Sequence, residues 1–208
     1  MEEKVQAIID TLKTHYPDPQ CALHYTKDYE LMIAVRLSAQ CTDARVNLIT
    51  PALFAAYPSL EAIASAPIEH IEELVHSCGF YKHKARDIVL ACQMLLLKHG
   101  GKVPGTMEEL LDLPGVGRKT ANLLLGDLYG VPGSVVCDTH CIRICGRLGL
   151  SQGKEPEKVE RQLRAILPPE ESSDFCHRIV LFGRDICTAR SPKCGECPLA
   201  PLCREMNG

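Results

Sequence analysis

Apolar residues recur along most of the chain at the intervals of three and four residues that mark one face of an amphipathic helix. Val5, Ile8, Ile9 and Leu12 form the first such face, and Pro17 ends the segment. The same pattern predicts further helices over residues 31–37, 43–56, 67–79, 84–99, 106–113 and 156–167. No segment sustains the two-residue alternation of a half-buried strand, so we predict an all-α fold.

Three of these helices carry specific predictions. Residues 31–37 are apolar on nearly all sides, which fits a buried strand or a buried helix; we favour the helix because the run continues beyond residue 37 without turn residues. Pro51 lies inside the 43–56 segment and should kink or split it. Ser172 or Ser173 should cap one more helix near the C-terminal end.

The composition fits one large or two small globular domains. The chain has 208 residues, of which 46% are hydrophobic and 24% charged, and its formal net charge is −3. An ordinary apolar fraction and a small net charge argue against disorder, and the acidic balance argues weakly against a nucleic-acid partner. No apolar run is long enough to span a bilayer, and the first four residues do not begin a signal peptide. We therefore expect a cytoplasmic protein, in which structural disulfides are rare.

Of the 12 cysteines, four form one pattern near the C-terminal end. It is Cys187-x6-Cys194-x2-Cys197-x5-Cys203, in a proline-interrupted segment without helix periodicity. Four thiolates suit either zinc or a [4Fe–4S] cluster. Zinc ribbons usually pair two C-x2-C units and this segment has one, so the spacing favours the cluster; reduced surface thiols or disulfides are the remaining alternative. The other eight are predicted to pack as small apolar residues: Cys21, Cys41, Cys78, Cys92, Cys137, Cys141, Cys145 and Cys176.

Residues 113–121, LPGVGRKTA, predict a tight turn between two helices. Pro114 blocks continuation of the first helix, and Gly115 and Gly117 allow a positive φ and leave no side chain between backbone and ligand. Exposed N–H groups beside a helix N-terminus can bind an anion such as a DNA phosphate without reading sequence. A simple helical hairpin without a ligand is the alternative.

Two residues near this turn suggest chemistry. Lys119 lies in the first turn of the second helix beside Arg118, where the helix N-terminus and the neighbouring cation favour a neutral amine that can form a Schiff base. The alternative for Lys119 is a phosphate contact. Asp138 follows an apolar segment and can cap the next helix; it could also stabilise positive charge developing on a sugar.

Together these motifs resemble the endonuclease III family, bacterial DNA glycosylases of the helix-hairpin-helix superfamily. The resemblance is carried by LPGVGRKTAN (113–122), by Asp138-Thr139-His140, by LSAQCTD (37–43) and by the four-cysteine segment, and it covers essentially the whole chain. It implies an all-α, two-domain protein. A helical domain of residues 22–132 would carry the hairpin, residues 1–21 and 133–208 would form the cluster domain, and DNA and the active site would lie in the cleft between them.

The family removes oxidised pyrimidines from duplex DNA and then nicks the strand by β-elimination. Carried over, Lys119 would attack C1′, Asp138 would be its catalytic partner, and the four cysteines would hold a [4Fe–4S] cluster that is chiefly structural. Gln40 and Phe80 match the residues that fill and wedge the gap left by a flipped base. The remaining expected DNA contacts are Gly115, Gly117, Arg118, Thr120, Arg143, Arg190 and Lys193. The expected partner is double-stranded DNA with damaged pyrimidines or abasic sites, bound by a monomer at the nucleoid and not at a membrane.

Charge placement agrees with a DNA partner. Between residues 176 and 204 the chain has five basic and two acidic residues, and Arg190 and Lys193 lie in the loop between the first two cysteines of the pattern. An acidic chain can therefore still present a basic face to phosphates.

The sequence departs from the family pattern at two places. The family has Gly-Leu-Tyr where this chain has Gly79-Phe80-Tyr81, which puts the lesion or opposite-base preference in doubt although Phe80 could wedge by stacking. The interval from Lys119 to Asp138 is one residue longer than usual, and we place the extra residue in the turn at 130–133.

Other functions fit the sequence less well. Adenine-specific mismatch glycosylases lack the lysine and have a further C-terminal domain, so Lys119 and the chain end soon after Cys203 argue against that activity. Thymine mismatch glycosylases also usually lack the lysine. A non-catalytic DNA-binding module or an iron–sulfur electron carrier would leave Lys119 and Asp138 without a purpose. His140 is as consistent with a structural histidine as with a functional one.

Overall fold

The computed structural model describes residues 1–207, and every regular element in that part of the chain is helical, which confirms the predicted all-α class. Gly208, the last residue of the predicted cluster domain, lies outside the described residues. The α-helices are α1 (Glu2–His15), α2 (Asp28–Ser38), α3 (Asp43–Ala56), α4 (Leu60–Ala64), α5 (Ile68–Val75), α6 (Tyr81–Lys98), α7 (Met107–Leu111), α8 (Arg118–Tyr129), α9 (Thr139–Leu148), α10 (Pro156–Arg164), α11 (Ser172–Asp185) and α12 (Arg204–Asn207). Short 3₁₀ turns cover His76–Cys78, Pro169–Glu171, Cys194–Glu196 and Ala200–Leu202.

The chain forms two compact units. One is continuous and spans Ala22–Tyr129; the other combines Met1–Cys21 with the chain from Gly130 onward. In the continuous unit α2 is central: Leu31, Ile33 and Leu37 are fully buried, and α3, α6 and α8 all pack against this helix. The apolar character of residues 31–37 on all sides is therefore that of a core helix.

The discontinuous unit is built on α11, which packs against α1 and α9. The predicted face of α1 (Val5, Ile8, Ile9 and Leu12) is buried in it. Polar contacts support the same packing, because Lys13 pairs with Glu171 and the Arg178 Nε donates to the carbonyl oxygen of Tyr16 at 3.1 Å. The first helix thus belongs to the C-terminal part of the chain.

Several local predictions can be compared with the structure. Residues 31–37 are helical, as predicted. Helix α3 continues through Pro51, whose side chain is exposed, so the predicted split is wrong. The serine cap of α11 is also wrong: Glu171 occupies the N-cap position, because a 3₁₀ turn runs directly into the helix, and the Ser172 hydroxyl donates to the Pro168 carbonyl at 3.2 Å.

Across residues 1–207 no helix has both the length and the apolar character that a membrane crossing needs.

Candidate functional site

The predicted hairpin is formed by α7, the turn at residues 112–117 and α8. Thr106 caps α7 by accepting a hydrogen bond from the Glu109 N–H at 3.3 Å. Leu113 and Val116 are buried, which anchors the turn in the core. The Ala121 N–H donates to the Gly117 carbonyl at 2.9 Å, so α8 starts immediately after that glycine.

Gly115 is required by its surroundings. Its φ is +77°, and a Cβ at this position would lie 2.5 Å from the Arg36 Nε and 2.9 Å from the Asp87 Oδ2. Arg36 and Asp87 form an ion pair beneath the turn, with Nε–Oδ2 and Nη2–Oδ2 distances of 2.8 and 2.6 Å. The turn therefore rests on this pair, and only glycine lets the backbone approach it.

Gly117 differs from Gly115 in its backbone conformation and surroundings. Its φ lies outside the left-handed region, and a Cβ there would meet no heavy atom within 4 Å. Of the two glycines that allow a positive φ, only Gly115 adopts one; Gly117 directly precedes α8, and its carbonyl accepts the Ala121 N–H of the first helical turn. The absence of a side chain at this exposed position leaves the backbone open to solvent beside the α8 N-terminus.

The basic and polar residues that follow lie in the first turn of α8. Lys119 is exposed, whereas Arg118 and Thr120 are half-buried. A nucleophile must be accessible to its substrate, and the Lys119 amine meets that requirement.

Asp138 lies in the other unit, at the N-terminus of α9. Its Oδ1 accepts a hydrogen bond from the Cys141 N–H at 2.7 Å, so the predicted N-cap is present. The segment before it, 134–137, is buried, and the Val136 N–H donates to the Cys176 sulfur at 3.2 Å. The Asp138 carboxylate is half-buried. Its hydrogen bond at the start of α9 and the buried segment before it hold the carboxylate in one position.

Gln40 and Phe80 share an unusual backbone conformation. Their φ values are +53° and +47°, and they are the two non-glycine residues with positive φ among residues 1–207. Such strained conformations persist only where the surrounding structure imposes them, and they concentrate at functional positions. The Phe80 side chain is 66% exposed despite its apolar character.

A buried lysine joins the two segments that carry these residues. The Lys84 side chain is 1% exposed, and its Nζ donates to the carbonyl oxygens of Leu37 and Cys78, at 2.8 Å each. Burial lowers the pKa of Lys84. The sequence pattern gives no sign of this burial, since a lysine in an amphipathic helix is normally solvated.

Arg143 is engaged inside its own unit. Its Nη2 donates to the Cys187 carbonyl at 2.9 Å and lies 3.2 Å from the His140 Nδ1, and its Nε is buried without a hydrogen-bond partner. His140 packs closely against α11: a Cβ on Gly183 would lie 2.4 Å from the His140 Nδ1. Both side chains therefore hold α9 to α11 and to the start of the cysteine segment.

The four cysteines of the C-terminal pattern line one cavity of about 120 Å³, with Ile186, Pro192 and Met206 among its apolar walls. That is about ten times the volume that one water needs, so the space suits a multi-atom group. Among residues 1–207 no group of three or more potential ligand side chains is arranged to hold a single metal ion. Four sulfurs spread around an apolar cavity fit a [4Fe–4S] cluster and do not fit tetrahedral zinc.

Arg147 supports this segment from α9. Its guanidinium donates to the Cys187 sulfur at 3.3 Å and to the Thr188 carbonyl at 3.0 Å, and it pairs with Glu205 at 3.3 Å. Hydrogen bonding to the Cys187 sulfur raises the pKa of Arg147. A cation donating to a sulfur is the kind of contact that stabilises a thiolate ligand.

The loop between the first two of these cysteines exposes both predicted basic residues. Arg190 is exposed, and Lys193 is exposed while lying 3.7 Å from the Asp185 carboxylate. Of the remaining eight cysteines, six are buried as predicted, but Cys21 and Cys41 are half-buried because they lie in loops and not on a core helix face.

The predicted catalytic residues are thus distributed over both units. Lys119, with Gln40 and Phe80, belongs to the continuous unit; Asp138, with the four cysteines, belongs to the discontinuous one.

The chain is similar to known DNA repair proteins along most of its length. The family model of the HhH-GPD superfamily of base excision DNA repair proteins matches residues 33–169, and that of the iron–sulfur binding domain of endonuclease III matches residues 187–203. Endonuclease III of Synechocystis is 45% identical over 97% of this chain and 92% of its own length; that of Bacillus subtilis is 41% identical over 98% and 93%.

A solved structure described as a trapped endonuclease III–DNA covalent intermediate is 42% identical, with a TM-score of 0.93, over 100% of this chain and 97% of its own. The hairpin, the cysteine cavity and these similarities together show that the chain belongs to the endonuclease III family, as a DNA N-glycosylase with AP lyase activity that carries a [4Fe–4S] cluster.

Proposed function

We propose that this enzyme removes oxidised pyrimidines from duplex DNA through Lys119 and then nicks the strand at the resulting site. The observation that carries the proposal is an exposed lysine in the first turn of α8, directly after a glycine turn whose backbone is open to solvent. The similar protein trapped as a covalent intermediate with DNA supports a nucleophile of this kind. An exposed amine beside a phosphate-binding turn is placed to reach a sugar once its base has left the stack.

The reaction follows from amine chemistry. The neutral Lys119 amine attacks C1′, and the electron pair of the glycosidic bond leaves with the damaged base. Opening of the sugar ring gives an imine, a Schiff base between Lys119 and C1′. Loss of a proton from C2′ then expels the 3′ phosphate group, and hydrolysis of the imine returns the free lysine.

Asp138 is proposed as the partner of this step. Positive charge develops on the sugar as the base departs, and a carboxylate fixed in position stabilises that charge better than solvent does. The cap on α9 supplies the fixed position, because one carboxylate oxygen is already held by the Cys141 N–H.

The DNA contacts proposed for the chain divide by chemistry. Phosphate groups would be bound by the backbone at Gly115 and Gly117, by Arg118 and Thr120 at the start of α8, and by Arg190 and Lys193. A phosphate contact by Arg143 would have to use the part of its guanidinium that does not donate to the Cys187 carbonyl. Gln40 and Phe80 would fill and wedge the gap left by the extruded base, and their strained backbones support this assignment. We further propose that the enzyme acts as a monomer in the cytoplasm, on duplex DNA of the nucleoid.

Cys187, Cys194, Cys197 and Cys203 are the proposed ligands of the cluster. Their four thiolates would bind the irons of the cluster, which would hold the C-terminal segment in one fold and keep Arg190 and Lys193 in position for phosphate contact. Purified protein should be brown with broad visible absorbance. Colourless protein containing stoichiometric zinc would contradict this ligand assignment.

Borohydride trapping tests the lysine. Wild-type protein incubated with a duplex containing thymine glycol or an abasic site should give a covalent adduct on reduction, because borohydride converts the imine to a stable amine. Lys119→Gln should give none, and Lys98→Gln, which changes another exposed lysine of the same unit, should trap as wild type does. Equal trapping by Lys119→Gln and wild type would overturn the lysine mechanism.

A further inference from the structure

The first two turns of α6 carry cations where the energetics of a helix favour anions. Lys82 lies in the first turn, which contains no acidic residue. The partial positive charge at a helix N-terminus repels a cation, so an acidic residue is the stabilising choice at this place. Arg86 follows Lys82 by four residues, and like charges at that spacing destabilise a helix further. The two cations therefore lower the stability of the helix that carries them.

No carboxylate of the protein neutralises this pair of cations. The Lys82 and Arg86 side chains are exposed, and across residues 1–207 neither takes part in an ion pair or a side-chain hydrogen bond. Other cations of the same unit have partners: Arg36 pairs with Asp87, and the Lys27 Nζ donates to the Pro58 carbonyl at 2.8 Å. Residues 74–86 contain no acidic residue. A local conflict of this kind, left without compensation, is typical of a functional surface.

The start of α6 lies beside the hairpin turn. Asp87, the residue after Arg86, bonds to Arg36 beneath that turn, and its Oδ2 would lie 2.9 Å from a Cβ on Gly115. The Arg36 guanidinium neutralises the Asp87 carboxylate, so this carboxylate does not oppose an anion bound nearby. Helices α6 and α8 both pack against α2 in the continuous unit. The cations of α6 and the open backbone of the hairpin therefore belong to neighbouring parts of one rigid core.

We propose that Lys82 and Arg86 bind phosphate groups of duplex DNA, as an extension of the surface that begins at the hairpin. Duplex DNA presents phosphate groups at short, regular intervals, so DNA held at the hairpin brings further phosphates within reach of long basic side chains nearby. A phosphate between the two cations would also relieve their mutual repulsion. The inference rests on the proposed phosphate contacts of the hairpin, and it does not depend on the chemistry of Lys119.

The opposite end of α6 offers a matched comparison. Lys98 lies in the last turn of the helix and is exposed. At a rise of about 1.5 Å per residue, it lies about 24 Å along the axis from Lys82. A cation at a helix C-terminus interacts favourably with the helix dipole. Lys98 and the exposed Lys102 therefore test whether any two cations of this unit affect DNA binding, or only those beside the hairpin.

Salt titration of DNA binding tests the proposal. All proteins carry Lys119→Gln, so that no reaction accompanies binding, and the probe is a duplex containing a stable abasic-site analogue. Adding Lys82→Gln and Arg86→Gln should weaken binding several-fold. The slope of log affinity against log salt should fall by about 0.9 for each phosphate group released. Lys98→Gln with Lys102→Gln should leave affinity and slope unchanged. Identical affinities and slopes for the two double variants would overturn the proposal.

Neutral phosphate analogues identify the contacts on the DNA. Single phosphate groups near the abasic-site analogue, on either strand, are replaced in turn by methylphosphonates. At one or two positions the replacement should weaken binding of the protein with Lys82 and Arg86 several-fold. At the same positions it should leave the double variant unaffected, because that variant no longer contacts the group. If every replacement weakens binding of both proteins by the same factor, Lys82 and Arg86 do not contact phosphates.

Thermal melting separates this inference from a structural role and from the proposed function. Lys82→Gln with Arg86→Gln should melt at the same temperature as wild type or higher, because both cations oppose the stability of α6. A lower melting temperature would contradict the assignment of these cations to a ligand. If borohydride trapping by the wild-type protein fails while the salt slopes differ as expected, the lysine mechanism is wrong and the phosphate surface stands.

Discussion

Asp138 has two roles that depend on different properties of one side chain. As the N-cap of α9 it needs an oxygen that accepts the Cys141 N–H, and an amide oxygen does this as well as a carboxylate oxygen. As the proposed partner of Lys119 it needs a negative charge, which an amide lacks. The two roles can therefore be separated by substitution.

We expect Asp138→Asn to keep the stability of the protein within about 0.5 kcal/mol, because asparagine is an equally good N-cap. Its rate of base release should fall by about 10²- to 10³-fold, the usual effect of removing one stabilising group from a transition state. Asp138→Ala should lose the same activity and also about 1 kcal/mol of stability. Urea denaturation measures the stability, and single-turnover kinetics measures the rate of base release. Wild-type rates in Asp138→Asn would show that the charge of Asp138 has no part in the mechanism.

Gly115 and Gly117 belong to one motif but differ in their φ values and in the space around them. Gly115→Ala should lower the free energy of unfolding by about 1–3 kcal/mol, because its φ is positive and the new Cβ would collide with the Arg36–Asp87 pair. Gly117→Ala should leave stability nearly unchanged, since its Cβ meets nothing, while it weakens DNA binding by covering the open backbone. Thermal melting and DNA titration check this pair; equal melting temperatures for the two variants would contradict it.

At the scale of elements, the most important contact is the one through which Lys84 links the end of α2 to the start of α6. A buried ammonium that donates to two backbone carbonyls fixes the relative position of Gln40 and Phe80 without itself reaching the surface. We therefore regard Lys84 as a positioning residue. Its contribution should be visible in base extrusion and not in the sugar chemistry.

Lys84→Met should lower stability by about 1–3 kcal/mol, because two buried carbonyls lose their donor, even though a buried charge is also removed. Base release from thymine glycol should fall more than strand nicking at an abasic site, where no base has to be extruded. The Lys98→Met variant, on the exposed last turn of the same helix, is the control. Parallel loss of both activities would indicate a merely structural role.

The elements also show what the sequence can and cannot predict. Apolar periodicity located α1, and an apolar run without turn residues located α2, because burial of apolar side chains decides both helices. The absence of a serine cap on α11 and the continuity of α3 depend on how the neighbouring segments pack, which no local sequence pattern predicts. The Lys84 side chain points inward because the carbonyls of residues 37 and 78 accept its hydrogen bonds, and these carbonyls come together only in the folded unit.

For the whole molecule, the placement of charge matters more than the total of −3. Arg190 and Lys193 are exposed on the loop between the first two cysteines of the C-terminal segment, and the Lys193–Asp185 pair is solvent-exposed and weak. A cluster that fixes this loop would hold these two exposed cations in position for phosphate contact. Cofactor and DNA affinity are then linked through one short segment.

The Arg190→Gln, Lys193→Gln double variant should bind undamaged duplex more weakly, with the slope of log affinity against log salt reduced by about 0.9 for each phosphate group that the variant no longer binds. The Arg161→Gln variant, which removes an exposed cation from α10, should leave the slope unchanged. Titrations over a range of salt concentrations measure this. An unchanged slope in the double variant would exclude both residues from the DNA surface.

The pairing of α1 with α11 has a consequence for synthesis on the ribosome. The continuous unit, Ala22–Tyr129, can complete its core while the rest of the chain is still being translated. Helix α1 is synthesised earlier, but its packing partner lies far along the chain. In its Lys13–Glu171 contact the two residues are 158 positions apart. Until then its apolar face lacks that partner, so we expect this face to be open to chaperone binding during synthesis.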